Sequence, residues 1–159
     1  MDTKIDFKNP EFYENRELSW IKFDNRVLSE ARDKSIPLLE RLKFVSITSS
    51  NLDEFFMVRV ASLLDMVHAN YKKRDIAGMT ATEQLAAINK ETRELVDTQY
   101  STYTRSLVPL LNKEGIYLVD EHVTLTDEQA AFVDRYFMES VYPVLTPMAV
   151  DASRPFPLI

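Results

Sequence analysis

The stretch Ser49–Val60, SSNLDEFFMVRV, brings together side chains that could form a site: Asn51, Asp53, Glu54 and Arg59. An asparagine amide offers donors and an acceptor to a ligand, carboxylates can serve acid–base chemistry or bind magnesium, and an arginine can hold an anion. The same residues also fit a helix start, because Asn51 is a good N-cap and Glu54 stands at the third helical position. The stretch is therefore either a helix start or part of a site.

The spacing of the charged residues in this stretch limits the kinds of site that they could form. Asp53 and Glu54 are adjacent, so on a helix they project about 100° apart and do not converge on a metal ion or a proton. Arg59 lies seven residues after Leu52, inside an apolar stripe, where an ion pair with a neighbouring carboxylate and a role in a site are both open. We predict no metal site here.

Two further groups have a structural and a functional interpretation. Trp20, Phe23, Phe55 and Phe56 could stack on a base, but aromatic residues at helical spacing are expected in the core. The basic run at positions 72–74 could meet a polyanion, but at a helix end it is expected to be solvated.

The pattern of apolar residues predicts helices as the elements that position these side chains. A first helix is expected to begin near Ser19 and to end around 33–35, and Pro37 suits the first turn of a second. After a polar break at 49–51, a third is expected from Leu52.

A fourth helix is expected after a loop around Gly78. Thr80 and Glu83 have capping-box spacing, Pro109 is expected to bend the last turns, and Gly115 is expected to end the helix.

The pattern changes after Gly115, which predicts a second domain. The run Ile116–Val119 has strand-forming residues, and Thr126 with Gln129 has the spacing to cap another helix. We therefore expect a mainly α protein, with a helical N-terminal domain of about four helices at 1–115 and the start of an α/β domain at 116–159. The apolar end at 157–159 predicts that the natural protein continues and that an uncovered end self-associates.

Composition limits the class of protein. A chain of 159 residues with 45% hydrophobic and 28% charged residues is expected to fold as one domain or one and part of another. A net charge of −6 argues against a nucleic-acid partner. The absence of cysteine fits a reducing compartment, and no apolar run is long enough for a membrane span, so we expect a cytoplasmic protein.

Four segments of the chain resemble the bacterial polyphosphate kinase family. The family's ELSWxxFNxRVLxEA element resembles positions 17–31, with Asp24 where the family more usually has asparagine. Its other elements resemble PLLERLKF at 37–44, SSNLDEFFMVRV at 49–60 and PVLTPMAVDASRPFP at 143–157.

The resemblance implies a function that the residues alone do not. In the family, the γ-phosphate of ATP passes reversibly to a histidine and then to polyphosphate, with Mg²⁺ bound near the phosphates. Those groups belong to C-terminal domains, so the resemblance implies no catalytic residue here, and His68 and His122 match no catalytic motif. It implies that Asn51 contacts ATP at its nucleoside end and that Arg59 lies at the mouth of the active-site tunnel. It also implies a homo-oligomer, with peripheral membrane association allowed.

Two functions from different classes follow. In one, the chain is the N-terminal part of a polyphosphate kinase, covers the nucleotide end of the active site and is inactive alone. In the other, it is a stand-alone helical protein-interaction module without a ligand.

Overall fold

The computed structural model describes residues 6–120, 124–150 and 152–153. Contacts divide the chain between Leu118 and Val119 into two compact units, close to the domain boundary expected at 115/116. The expected main class, α, is confirmed, and the described residues contain no strand.

The described residues contain six α-helices, and three of these run directly into a π-helical turn. The helices are α1 (Arg16–Arg32), α2 (Leu38–Phe55), α3 (Ala61–His68), α4 (Ala81–Thr102), α5 (Val108–Lys113) and α6 (Asp127–Tyr136). The π-helical turns are Phe56–Val60, Tyr103–Leu107 and Phe137–Val141, and two short 3₁₀ helices are Pro10–Phe12 and Tyr142–Val144.

The polar break expected at 49–51 is absent. Helix α2 runs through Asn51 and continues by the first π-helical turn into α3, with Phe56 and Val60 both in the right-handed helical conformation. Leu52 and Phe55 are buried, and this packing keeps a polar stretch helical against its local preference for a helix start. The N-cap interpretation of Asn51 is therefore wrong.

Two other helix ends show what local signals do specify. Helix α1 begins earlier than expected, because the Asn15 side chain accepts hydrogen bonds from the backbone N–H groups of Glu17 and Leu18, both at 3.0 Å. The capping box of α4 is confirmed, with both Thr80 and Glu83 in place.

Gly115 ends α5 as expected. Its φ of +78° lies in the left-handed region that glycine adopts without strain. Its N–H bonds to the carbonyl of Asn112, and the N–H of Ile116 bonds to that of Leu111, which satisfies carbonyls of the last turn.

The core of the larger unit lies where α1, α2 with α3, and α4 meet. It also encloses polar side chains, among them Glu17, Asp24 and Arg41. Its buried apolar residues are Ile21, Leu28, Ala31, Val45, Leu52, Phe55, Val60, Leu63, Ala81, Ile88, Leu95 and Leu107.

The smaller unit contains α6, which begins with the expected capping box of Thr126 and Gln129. None of the residues of α6 is buried. The run 116–119, expected to be a strand, has no regular structure, because a strand needs a partner and the described residues provide none. In the described part of the chain, no helix is both long enough and apolar enough to cross a membrane.

Candidate functional site

A pocket of about 250 Å³ forms between α1, α2 and the π-helical turn that follows α2. Both residues singled out from the sequence, Asn51 and Arg59, line it. Its full lining, which we call the amide pocket, is Trp20, Phe23, Asn51, Glu54, Phe55, Val58 and Arg59.

Asn51 is half-buried and faces a carboxylate. Its side-chain Nδ2 donates a hydrogen bond of 2.8 Å to Oδ1 of Asp24 on α1. A carboxylate oxygen only accepts, so this contact assigns the amide orientation and leaves the Asn51 oxygen as an acceptor for a ligand.

Asp24 is fully buried, and its second oxygen, Oδ2, has no hydrogen-bond partner within the described ranges. Burial raises the pKa of Asp24 above its ordinary value, and the hydrogen bond from Asn51 offsets part of that rise. Sequence reasoning missed this residue, although the signal was present: a carboxylate stands between Ile21 and Leu28 in the buried stripe of α1.

Arg59 forms the ion pair that the sequence left open. Its Nη1 lies 3.2 Å from Oε2 of Glu17, whose side chain is 4% exposed. The other oxygen of Glu17 accepts bonds of 2.8 and 2.6 Å from the guanidinium of Arg16. Glu17, which sequence reasoning also missed, thus holds Arg59 at the pocket while leaving it about one-third exposed.

Of the four aromatic residues singled out from the sequence, some lie in the core and others are exposed. Phe55 is buried and stacks on Trp20 with ring centroids 4.3 Å apart and ring planes within 5°. Phe23 and Phe56 are 47% and 45% exposed, so the expectation that all four belong to the core is wrong for these two. Phe23 therefore presents an accessible ring to the amide pocket.

The π-helical turn Phe56–Val60 shapes the pocket's second wall. A π turn widens the helix by one residue per turn and is often found at functional sites. Here it supplies Val58 and Arg59 to the lining.

The remaining sequence candidates do not join this pocket. Asp53 is exposed on α2, and in the described ranges no group of three or more His, Asp or Glu residues could hold a metal ion. His68 is exposed at the end of α3, and His122 lies outside the described residues. The basic run follows the end of α3, and its Arg74 contacts Glu83 at 3.0 Å.

Fold and site together define a helical domain with a small pocket in which an oriented amide, an aromatic ring and an anchored arginine meet. Comparison with known families identifies the domain. Residues 13–119 match the polyphosphate kinase N-terminal domain, and residues 128–159 match the polyphosphate kinase middle domain. The chain belongs to the polyphosphate kinase family.

Individual relatives agree with this assignment. The chain is 54% identical over 155 residues to the polyphosphate kinase of Lactiplantibacillus plantarum, and covers 21% of it with 98% of its own length. It is 51% identical over 158 residues to the enzyme of Halalkalibacterium halodurans, covering 22% of that protein with 98% of itself. The chain is also similar to the crystal structure of polyphosphate kinase from Porphyromonas gingivalis, with a TM-score of 0.74 and 32% sequence identity. The match covers 92% of this chain and 20% of the Porphyromonas gingivalis chain. The chain thus spans about a fifth of the length of its relatives.

Proposed function

We propose that this chain is the part of an ATP:polyphosphate phosphotransferase that holds the nucleoside end of ATP in the amide pocket. The observation that carries the proposal is the Asp24–Asn51 hydrogen bond, because it fixes which edge of the amide is free. The family assignment favours this function over a stand-alone interaction module.

The free edge of Asn51 suits adenine. An asparagine amide pairs with adenine by accepting from the N6 amino group and donating to a ring nitrogen. One hydrogen of Nδ2 is engaged by Asp24, which leaves the other hydrogen and the amide oxygen for such a pair. The amide therefore matches the donor–acceptor pair that adenine presents at its amino group and ring nitrogen.

The rest of the lining favours the base over the phosphates. The exposed ring of Phe23 offers a face for stacking, and base–aromatic stacking contributes about 1–3 kcal/mol. The carboxylate of Glu54 also lines the pocket and would repel a phosphate. We therefore propose that Arg59 lies at the mouth of the site, beside the nucleoside.

We propose that the phosphate chemistry takes place in other parts of the enzyme. The γ-phosphate of ATP would pass to a histidine outside this chain and then to polyphosphate. We assign Mg²⁺ to those other parts as well, because this ion is held by carboxylates together with the phosphates of its nucleotide. We also propose a cytoplasmic homo-oligomer.

The test compares two substitutions in an intact polyphosphate kinase that carries this sequence. Asn51→Ser removes both the contact with Asp24 and the amide offered to ATP. Losing one neutral hydrogen bond of about 0.5–1.5 kcal/mol should raise KM for ATP by roughly 2- to 13-fold, with kcat nearly unchanged.

Asp24→Ser is the matched control, because it removes the contact between the two helices and keeps the Asn51 amide. We expect it to raise KM less than Asn51→Ser does. A KM for ATP that Asn51→Ser leaves unchanged would refute the ATP contact.

A further inference from the structure

A second pocket, separate from the amide pocket, lies where the end of α1 and the start of α2 meet α4 and its π-helical turn. Its volume is about 500 Å³, and none of its residues lines the amide pocket. We call it the arginine pocket. Its lining is Arg32, Lys34, Arg41, Asp97, Thr98, Ser101, Thr102, Arg105 and Ser106.

Arg41 is the central feature of this pocket. It is only 5% exposed, yet no carboxylate in the described ranges lies within ion-pair distance of it. Its Nε donates to the carbonyl of Ala31 at 2.8 Å, and its Nη2 donates to Oγ of Ser106 at 3.2 Å. A buried guanidinium without a counter-ion is costly, and the remaining donors of Arg41 are available to an anion.

The charges around Arg41 are mostly positive. Arg32, Lys34 and Arg105 form no ion pair with any described residue, and Asp97 is the acidic residue of the lining. Hydrogen bonds from the N–H and hydroxyl of Ser35 hold the pKa of Asp33 below its ordinary value, and the charge of Arg41 contributes only slightly. This positive cluster occurs in a chain whose net charge is −6.

The hydroxyl groups of the lining differ in what they can donate. Thr98 and Thr102 donate to carbonyls of their own helix, at 2.8 and 2.7 Å, so they offer no hydrogen to a ligand. Ser106 accepts from Arg41, which leaves its hydrogen free to donate. The second π-helical turn thus supplies a cation, Arg105, and a donor, Ser106, to the same pocket.

We propose that the arginine pocket binds a phosphoryl anion, independently of the nucleoside held in the amide pocket. Arginine forks match the geometry of phosphate oxygens, and Arg41 is held in place by its bonds to Ala31 and Ser106. The anion would supply the missing counter-charge of Arg41. The proposal does not depend on Asn51 binding ATP, since the two pockets share no residue.

The test is a titration of the 159-residue chain with orthophosphate, pyrophosphate and tripolyphosphate, followed by calorimetry and by NMR shifts of the backbone amides. We expect saturable binding, with the largest shifts at Ser101, Arg105 and Ser106. Arg105→Gln should weaken tripolyphosphate binding by about three- to tenfold, as expected for one partly screened charge-assisted bond.

Arg93→Gln is the matched control, because Arg93 is an exposed arginine on α4 outside the arginine pocket. We expect this variant to bind tripolyphosphate with unchanged affinity. Arg41→Met should abolish saturable binding, and far-UV circular dichroism will show whether that variant remains folded. Because Arg105 is exposed, Arg105→Gln tests the proposal even if Arg41→Met unfolds.

The anions distinguish the sources of the phosphoryl group. Tighter binding of tripolyphosphate than of orthophosphate would support a phosphate chain as the ligand, and equal binding would support a single phosphate. If Arg105→Gln and Arg93→Gln weaken the affinity for tripolyphosphate equally, the anion is attracted by the general charge of the surface and the proposal is overturned. Tighter binding of a polyglutamate peptide would overturn it too, in favour of an acidic protein segment. A failure of Asn51→Ser to change ATP kinetics would leave these results unaffected.

Discussion

At the scale of single residues, the amide pocket depends on two buried carboxylates of α1 that hold partners on the neighbouring helix. Asp24 orients the amide of Asn51, and Glu17 anchors the guanidinium of Arg59. Glu17 is satisfied by two arginines, whereas one oxygen of Asp24 lacks a partner among the described residues. Asp24 is therefore the residue at which binding and stability are expected to conflict.

This conflict predicts the effect of Asp24→Asn. Because burial raises the pKa of Asp24 in the folded state, its contribution to stability falls as the pH rises from below the unfolded pKa through the folded pKa. Asparagine keeps an oxygen to accept from Asn51 and removes the buried charge. We expect Asp24→Asn to raise the free energy of unfolding at pH 7, and the gain to be smaller at pH 3, where an aspartate is largely protonated in the unfolded chain as well.

Urea denaturation at the two pH values measures this difference, with Asp53→Asn as the control. Asp53 is an exposed carboxylate on α2, so its replacement should leave stability within about 0.5 kcal/mol. A loss of stability at pH 7 in Asp24→Asn would show that the carboxylate is favourable where it is, contrary to the direction of its pKa shift.

At the scale of elements, both pockets receive residues from a π-helical turn. The turn after α2 supplies Arg59 to the amide pocket, and the turn after α4 supplies Arg105 and Ser106 to the arginine pocket. Pro109 follows the second turn closely, and since proline has no N–H to donate, it does not support a regular α-helical ladder there. The helix nevertheless continues to Lys113, so proline coincides with a local change of helix type.

The start of α4 allows a direct test of a local signal. Thr80 accepts from the backbone N–H of Glu83 at 3.3 Å, and its own N–H donates to the Glu83 carboxylate at 2.7 Å. We expect Thr80→Ala to lower the free energy of unfolding by about 1 kcal/mol, the usual effect of losing an N-cap. Thermal or urea denaturation measures it, and Thr82→Ala, at an exposed position in the first turn of the same helix, should change little.

The capping box also has a pH dependence. The N–H and hydroxyl of Thr80 hold the pKa of Glu83 below its ordinary value, with a lesser contribution from Arg74. A depressed carboxyl pKa stabilises the fold above the unfolded pKa and loses that effect as the pH falls through the folded pKa. Thr80→Ala removes the hydroxyl's bond to this carboxylate and keeps the backbone bond, so part of its cost should disappear in acid. A cost that is constant with pH would argue against the bond between hydroxyl and carboxylate.

At the scale of the whole molecule, the two units differ in how much they bury. The larger unit has a continuous apolar core, whereas α6 of the smaller unit has no buried residue and exposes Phe132, Val133 and Tyr136. Such surfaces are expected to be covered by other parts of an enzyme or by a second copy. Self-association stays a prediction, and the apolar end at 157–159 on which it was based lies outside the described residues.

We expect the 159-residue chain by itself to transfer no phosphate. Phosphoryl transfer depends on cations and donors that clamp the phosphate oxygens, together with a positioned nucleophile. His68 is exposed at the end of α3 and lies outside both pockets. Incubation with γ-labelled ATP and Mg²⁺ should label neither the protein nor polyphosphate, while an intact polyphosphate kinase serves as the positive control. A phosphohistidine at His68 or His122 would contradict this expectation.

Signals that act within a few residues of the chain were readable from the sequence alone. The capping boxes at Thr80 and Thr126 and the left-handed glycine at 115 depend on side chains and dihedral angles at most a turn or so apart. The family motifs were readable for the same reason, since they are local strings of residues. These features determined the mainly α class and the candidate site at Asn51 and Arg59.

Only the tertiary structure decided what Asn51 does locally. Its stretch has the residues of a helix start, but packing of Leu52 and Phe55 against α1 carries the helix through it, and burial outweighs a cap preference of about 1 kcal/mol. The partner of Asn51 lies 27 residues away, and that of Arg41 lies 65 residues away at Ser106. Contacts between residues so far apart in the chain produce no periodic pattern in the sequence, because they form only when the helices pack together.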